Sequence, residues 1–296
     1  MQVINQSTGK NHHLYNADCI EVLAGLPTNS VDYSIYSPPF SSLYVYSDSP
    51  RDMGNANSYD EFFEQFAFLA EQLIRVTKPG RLMSFHCAQV PLMKERDGVI
   101  GLRDFRGDLI RTFQGAGFIL HSEVTVWKDP VVEMQRTKAL GLLHKQIKKD
   151  SCMSRMGIPD YVITMRKPGE NPNPVKHTDE SFPVGQWQQW ASPVWMDIDQ
   201  GDTLSYMQAR DTDDERHICP LQLGLIERCL TMWSNPGDVV LSPFAGIGSE
   251  GFVSLKLGRK FIGVELKESY FKVASKNLAT AEAEKDRVTL FELDTA

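Results

Sequence analysis

Residues 241–251, LSPFAGIGSEG, constrain the fold of this chain more than any other stretch. Val239, Val240 and Leu241 form a short apolar run that reads as a buried strand, and residues 249–257 read as a helix. Between them Gly246, Gly248 and Gly251 have the spacing G-x-G-x-x-G, which lets a backbone approach a ligand closely. Residues 260–266, KFIGVEL, read as the next strand, with Glu265 near its end, where a carboxylate accepts hydrogen bonds from ribose hydroxyls. Position in the chain then decides the reading. Only 45 of the 296 residues follow Gly251, room for a helix, a strand and a last helix. A dinucleotide domain that began here would lack most of its sheet, and no second glycine fingerprint marks a second nucleotide half-site. The missing strands must come from the N-terminal half, so one sheet is assembled from both ends of the chain.

The early half supplies those strands. Residues 12–18, HHLYNAD, read as a strand ending in Asp18, and 18–26 place Ile20, Leu23, Ala24 and Leu26 at helical spacing before Pro27. Residues 32–36 form a strand that stops at Ser37-Pro38-Pro39-Phe40, because prolines cannot continue a sheet ladder. A hydroxyl, two rigid residues and an aromatic thus stand at the C-terminal end of a strand, where open α/β sheets bind ligands. Alone, that tetrapeptide reads first as a plain strand terminator, and the glycine loop is what shifts the reading toward a site. Residues 41–58 read as a long loop beside it. Ser58, with Glu61 three residues on, is a capping-box signal for a helix to about Val76, with Phe62, Phe63, Phe66, Leu69, Leu73 and Ile74 on its apolar side. Lys78-Pro79-Gly80 is expected to end it and 81–87 to form a strand, with His86 near its end read as a core histidine. A helix over 104–115, with Gly117 past its end, and a strand over 118–127 complete a rhythm that implies a mostly parallel wound sheet. The rhythm returns after residue 217: Pro220 opens a helix to about Trp233, a last helix runs over 268–283, and Val288 to Phe291 are predicted as an edge strand.

Between these halves the texture changes. Residues 128–167 carry Lys128, Arg136, Lys138, Lys145, Lys148, Lys149, Arg155, Arg166 and Lys167 against Asp129, Glu133, Asp150 and Asp160, in a chain whose formal net charge is −7. A local basic stretch outweighs an average, and this one points to contact with phosphates. Residues 168–216 are polar and Pro-rich and include Trp187, Trp190 and Trp195, which fit either a small core or base-stacking platforms. The five cysteines are scattered without a CxxC pair, an arrangement of a reducing cytoplasm that argues against disulfides or a zinc site. No apolar run is long enough to span a membrane, so neither a membrane nor a metal is an expected partner.

Taken together, the motifs resemble the DNA amino-methyltransferases that use S-adenosyl-L-methionine, in their permuted beta group, where the catalytic motif precedes the cofactor motif. Ser37-Pro38-Pro39-Phe40 is similar to the family's Asp/Asn/Ser-Pro-Pro-aromatic tetrapeptide. Ser242-Pro243-Phe244-Ala245-Gly246-Ile247-Gly248-Ser249 resembles its Asp-Pro-Phe-x-Gly-x-Gly-Thr cofactor loop, with Ser for the usual Asp. Glu265, followed by Leu266, matches the ribose-binding acid, and Asp18 with Cys19 the segment beside the adenine. HICPLQLGLIERCL, from His217, resembles the helix entry near the methionine moiety, without the Lys often found there, and Trp127 matches an aromatic of the target-base pocket. The resemblance covers 12–127 and 217–283.

It implies an α/β, Rossmann-like methyltransferase fold with a circularly permuted wound sheet. Residues 1–129 would be the catalytic-motif half, 130–216 an inserted target-recognition region, and 217–296 the cofactor-binding half. The implied enzyme is a cytoplasmic monomer or homodimer acting on double-stranded DNA, with Arg136, Lys138, Lys145, Lys148, Lys149 and Arg155 on phosphates. Ser in the first motif position favours cytosine N4 over adenine N6 as the target. Other readings are an RNA or protein-glutamine methyltransferase, which the motif order disfavours, an inactive nucleic-acid-binding module, and a nicotinamide oxidoreductase. A cytosine-C5 mechanism needs Pro-Cys, and the chain has Cys219-Pro220 in the reverse order.

Overall fold

Short strands with apolar residues on alternate sides build the frame. The computed structural model describes residues 3–40, 52–92, 94–205 and 220–293. Within them lie the strands β1 (Asn5–Thr8), β2 (His12–Asn16), β3 (Val31–Tyr36), β4 (Thr77–Ala88), β5 (Val90–Leu92), β6 (Gly101–Arg103), β7 (Ile119–Val126), β8 (Asp160–Arg166), β9 (Val194–Trp195), β10 (Val239–Ser242) and β11 (Lys260–Glu265). The helices are α1 (Cys19–Gly25), α2 (Tyr59–Val76), α3 (Lys94–Asp97), α4 (Phe105–Gly115), α5 (Pro130–Thr137), α6 (His144–Lys149), α7 (Val184–Trp190), α8 (Leu223–Trp233), α9 (Ser249–Lys256) and α10 (Glu268–Leu293). Nine strands form one sheet in the order β1-β2-β11-β10-β3-β4-β8-β7-β9, while β5 and β6 pair separately.

The central strands β2, β11, β10, β3 and β4 are parallel, as the alternation of strand and helix requires. Strands from the two ends of the chain interleave, with β10 and β11 seated between β2 and β3. This is the assembly that the late glycine loop demanded. From β10 the chain winds toward β11, and from β3 it winds the other way toward β4. The boundary between β10 and β3 is therefore a topological switch point, where the flanking loops part and leave a crevice.

Side-chain alternation divides the core into two layers. Val31, Tyr36, Met83, Phe85, Ile163, Met165 and Leu241 face α1, α2 and α4, whose Leu23, Phe62, Phe66, Leu69, Phe105 and Phe113 complete a buried cluster. Tyr33, Ile35, Val162, Val240 and Phe261 face the other way, onto Leu225, Ile226, Leu230, Val253, Ala274 and Leu278 of α8, α9 and α10. The capping signals operate as read: Ser58 Oγ accepts from the Glu61 amide at 3.1 Å, and Glu61 reaches back to the Asn57 amide at 2.8 Å. At the far end of the sheet Asp32 pairs with Lys78 at 2.6 Å and accepts from the Val239 amide at 2.9 Å, while Arg81 joins Asp238 and the Asp32 carbonyl. These bonds tie β3, β4 and β10 together at the end away from the crevice.

Gly251 shows how tightly α9 lies on the sheet. A Cβ built there would stand 2.5 Å from both Leu278 and the Phe261 ring. Gly251→Val is expected to destabilise the fold by about 1–3 kcal/mol through overpacking. The readout is a lower urea midpoint at unchanged slope, and an unchanged midpoint would refute the packing argument.

Three expectations need correction. Residues 160–166, read within the inserted region, form β8, which enters the sheet antiparallel between β4 and β7 and buries Val162, Ile163, Thr164 and Met165. A β-branched run with both faces apolar belongs in a sheet centre, whatever the polarity of its flanks. Lys78-Pro79-Gly80 does not precede the strand but lies inside β4, where it makes the register shift opposite Asp32. Val288 to Phe291 are helical, because α10 continues unbroken to Leu293. An Ala-, Glu- and Lys-rich approach propagates the helix into a segment too short to find a strand partner. Residues 41–51 of the expected loop, and 217–219 of the expected helix entry, lie outside the described residues.

Candidate active site

Parallel strands put their C-terminal ends at one edge of the sheet. Asp18 and Asn16 lie at the end of β2, Glu265 and Leu266 at β11, Ser242-Pro243-Phe244 at β10, Ser37-Pro38-Pro39-Phe40 at β3, and His86 near the end of β4. Register confirms the level, with Glu265 opposite Asn16, Ser242 opposite Gly263, and Tyr36 opposite Phe85. The glycine loop and the Ser-Pro-Pro-Phe segment thus flank the switch point on adjacent strands. They touch there, with the Tyr36 and Phe244 rings 5.9 Å apart.

On the glycine-loop side, Gly246 and Gly248 have φ of +52° and +87°, values that glycine adopts freely and other residues rarely. Nothing lies within 4 Å of a Cβ built on Gly246, so the loop backbone faces open space there. Glu265 accepts from the Gly246 amide and the Lys267 amide, each at 2.8 Å, and so holds the loop to the end of β11. Burial pushes its carboxyl up to about 7, against the hydrogen bonds that lower it. Asn16 Nδ2 donates to the Glu265 and Leu266 carbonyls at 2.9 Å, which fixes β2 against β11 and holds Asp18 nearby. Asp18 is the N-cap of α1 and accepts from the Glu21 amide at 3.0 Å. Cys19 is buried at the first turn, and burial pushes its thiol far up, so it acts as a small apolar residue. Ser242 Oγ, Ser249 Oγ and Asn16 Oδ1 are buried without a partner. Buried polar atoms ordinarily find one, so this side of the crevice has hydrogen-bonding capacity in reserve.

Glu250, in the first turn of α9, adds a second buried carboxyl. Burial, with the Glu265 carboxyl nearby, pushes it up to about 8. A carboxyl raised above its usual 4.5 favours folding at low pH, and that contribution is lost as pH rises through 8. Glu250→Gln is therefore expected to leave Tm nearly unchanged at pH 4 and to stabilise the protein at pH 9 by on the order of 1 kcal/mol or more. An equal shift at both pH values would contradict this.

On the other side, Pro38 and Pro39 are buried and Phe40 is half-buried against Phe105, with ring centroids 5.8 Å apart. Ser37 Oγ is 3.2 Å from His86 Nδ1. Sequence reasoning treated His86 as a core residue, but the structure places it at the site. His86 Nε2 is 3.0 Å from Asp160 Oδ2, and Lys128 Nζ is 2.5 Å from Asp160 Oδ1. No local signal identifies Asp160, because only the antiparallel entry of β8 brings it here.

Trp127 follows β7, is 42% exposed, and pairs its backbone amide with Trp195 at 2.9 Å, which leaves the indole free to meet a ligand. Trp195 is buried, and Arg228 lies over both it and Trp190 while paired to Asp197, so these two tryptophans are structural. Trp187 is exposed. Lys138, Lys145, Lys148 and Lys149 are exposed along α5 and α6, as a phosphate-binding stretch requires. Arg155 is more engaged: it lies 3.6 Å from the buried Glu133 and donates to the Met156 carbonyl. The Arg136 side chain lies outside the described residues. No helix of the described residues is long and apolar enough to cross a membrane, and no group of three metal-ligating side chains occurs among them.

Comparison with known proteins adds independent findings. A family model described as DNA methylase matches residues 31–276. The chain is 27% identical over 267 residues to the Type II methyltransferase M.BamHI of Bacillus amyloliquefaciens, a match that takes in 86% of this chain and 54% of that protein. It is 25% identical over 275 residues to the Type II methyltransferase M.BglII of Bacillus subtilis, covering 92% and 70% respectively. The chain thus spans about half the length of the first relative and 70% of the second. Among solved structures, a putative DNA modification methylase of Thermus thermophilus, complexed with S-adenosyl-L-methionine, superposes with a TM-score of 0.66 at 24% identity, over 92% of this chain and 96% of that one.

Proposed function

The chain belongs to the DNA methylase family, and from that premise we propose that it transfers a methyl group from S-adenosyl-L-methionine to an exocyclic amino group of DNA, cytosine N4 in preference to adenine N6. The observation that carries this reading is the placement of Glu265 with the glycine loop on one side of the β10–β3 switch point and Ser37-Pro38 on the other. A donor held by the first would present its far end to the second.

The residues present fit the donor. Glu265 keeps acceptor capacity beyond its two backbone bonds and is suited to ribose hydroxyls. Asp18, Cys19 and Leu266 border the adenine. Gly246 and Gly248 open the backbone beside Ser242, Pro243 and Phe244, and the unpaired Ser242 and Ser249 hydroxyls offer further bonds. Bound there, the donor supplies an electrophilic methyl on a sulfonium.

The amino group of cytosine is a poor nucleophile because its lone pair is delocalised into the ring. Ser37 Oγ and the Pro38 carbonyl accept its two hydrogens, which draws the nitrogen toward tetrahedral geometry and aims its lone pair. Buried Pro38 and Pro39 hold that carbonyl rigidly, so little reorganisation is needed. Phe40 and Trp127 stack on the base, which leaves the duplex to enter the crevice. Lys138, Lys145, Lys148, Lys149 and Arg136 contact phosphates, joined by Arg155 where it leaves Glu133 for the DNA backbone. Most of the rate gain comes from positioning.

The test is incubation of unmethylated DNA with the protein and methyl-labelled S-adenosyl-L-methionine, followed by nucleoside mass analysis. N4-methylcytosine is the expected product. N6-methyladenine would overturn the choice of base, and the absence of any labelled base would overturn the activity.

A further inference from the structure

Ser37 is the front member of a chain of four polar side chains. Its Oγ lies 3.2 Å from His86 Nδ1 and 3.2 Å from the His86 carbonyl oxygen. His86 is largely buried, and its Nε2 stands 3.0 Å from Asp160 Oδ2, at ion-pair distance though out of line for a hydrogen bond. The second oxygen of Asp160 takes Lys128 Nζ at 2.5 Å. Four different strands supply these groups: β3 ends just before Ser37, His86 is in β4, Asp160 opens β8, and Lys128 follows β7. A buried carboxylate is costly unless it is paired, and this one has two partners. Burial alone would raise the Asp160 carboxyl, but His86 and Lys128 outweigh it and hold the group at about 2.

We propose that Ser37, His86, Asp160 and Lys128 form a proton relay behind the target amino group, in which His86 is the positioning residue that orients the Ser37 hydroxyl and takes its proton. This inference rests on the methyl-transfer reading above. During transfer the amino nitrogen forms a bond to the methyl carbon while the carbon–sulfur bond breaks, and that electron pair leaves on sulfur. The nitrogen must then lose one proton to become a neutral methylamino group. Ser37 Oγ receives this proton as it gives its own hydroxyl hydrogen to His86 Nδ1. The imidazolium that results faces the Asp160 carboxylate. Serine is restored, histidine holds the proton, and charge balances.

Lys128 makes this arrangement workable before the reaction. It gives Asp160 a cationic partner on the oxygen that His86 does not face. Asp160 beside Nε2 favours the ring proton on that nitrogen and leaves Nδ1 to accept from Ser37. Among the described residues, the charged groups that face His86 are Asp160 and Lys128. Arg106, Glu123 and Asp104 act on the adjacent Cys87, which side-chain alternation puts on the opposite face of β4.

The experiment combines kinetics and spectroscopy on the full chain. Single-turnover methyl transfer is measured from pH 5.5 to 9 for the wild type and His86→Asn, whose amide can occupy the place of Nδ1 without taking up a proton. The expected result is a rate at least about tenfold lower, with the acid limb of the pH profile lost and Kd for S-adenosyl-L-methionine and DNA within about twofold. In parallel, the His86 ring nitrogens are titrated by NMR without cofactor, where Ser37→Ala and Asp160→Asn are each expected to shift the titration. An active wild type with an unaltered rate and profile in His86→Asn overturns the relay alone, as does a titration indifferent to Ser37→Ala. A wild type that methylates no DNA overturns the functional reading itself.

Discussion

Ser37→Ala is expected to lower methyl transfer to DNA by about 10²–10³-fold while Kd for S-adenosyl-L-methionine stays within about twofold. The asymmetry follows from topology. Ser37 follows β3, on one side of the switch point, whereas the side proposed for the donor is built by β10, β11 and β2. Among the described residues Ser37 Oγ bonds within the β3–β4 side, to His86, and not to the glycine loop. Alanine removes an acceptor that matters when charge develops on the amino nitrogen, and leaves the Pro38 carbonyl in place. Tm should change little, since Ser37 is half-buried and its partner His86 keeps Asp160. Single-turnover rates, calorimetry and thermal unfolding on one preparation check all three statements. A large loss of donor affinity would show that Ser37 belongs to the donor site.

Glu265→Gln should give the complementary result, with Kd for the donor raised about 10–100-fold. Two hydrogen bonds from ribose hydroxyls to a charged acceptor are each worth about 1.5–3 kcal/mol, and an amide retains part of that. The wild type adds a pH signature. Burial raises the Glu265 carboxyl from the usual 4.5 to about 7, so below pH 7 it is protonated and a weaker acceptor. Hydroxyl donors favour the ionised form, so donor affinity should tighten as pH rises from 6 to 8. In Glu265→Gln the dependence should flatten, and an equally steep dependence would assign it to another group. Because Glu265 also accepts from the Gly246 and Lys267 amides, calorimetry should be paired with Tm to detect a loosened loop.

The parts of this fold that could be read from the sequence share a physical property: their signals are local. The cap at Ser58, the stop at Pro38-Pro39 and the glycine loop each act within a few residues. The late position of the glycine loop pointed to a sheet shared by early and late strands, and β10 and β11 are seated between β2 and β3. The DNA methylase match over 31–276 agrees with the family those motifs suggested. Non-local pairing stayed hidden. Asp160 reads as one minority acid in a basic stretch until β8 pairs with β4 and sets it beside His86. Lys128 counts with the phosphate-binding residues until the same pairing sets it on Asp160. The tryptophans separate only through Arg228, whose bond to Asp197 crosses from α8 to the segment after β9. His86 was undervalued for the same reason, since a histidine at a strand end means little without its neighbours.

One crevice, between the ends of β10 and β3, is proposed to hold the methyl donor with its reactive end toward Ser37 and Pro38. The most direct measurement is a crystal structure of this chain with S-adenosyl-L-methionine. The account predicts ribose hydroxyls within about 3 Å of the Glu265 carboxylate, adenine beside Asp18 and Cys19, and the sulfonium methyl directed at the Ser37-Pro38 segment. A donor bound elsewhere, or one seated on Glu265 with its methyl turned away from Ser37, would contradict it.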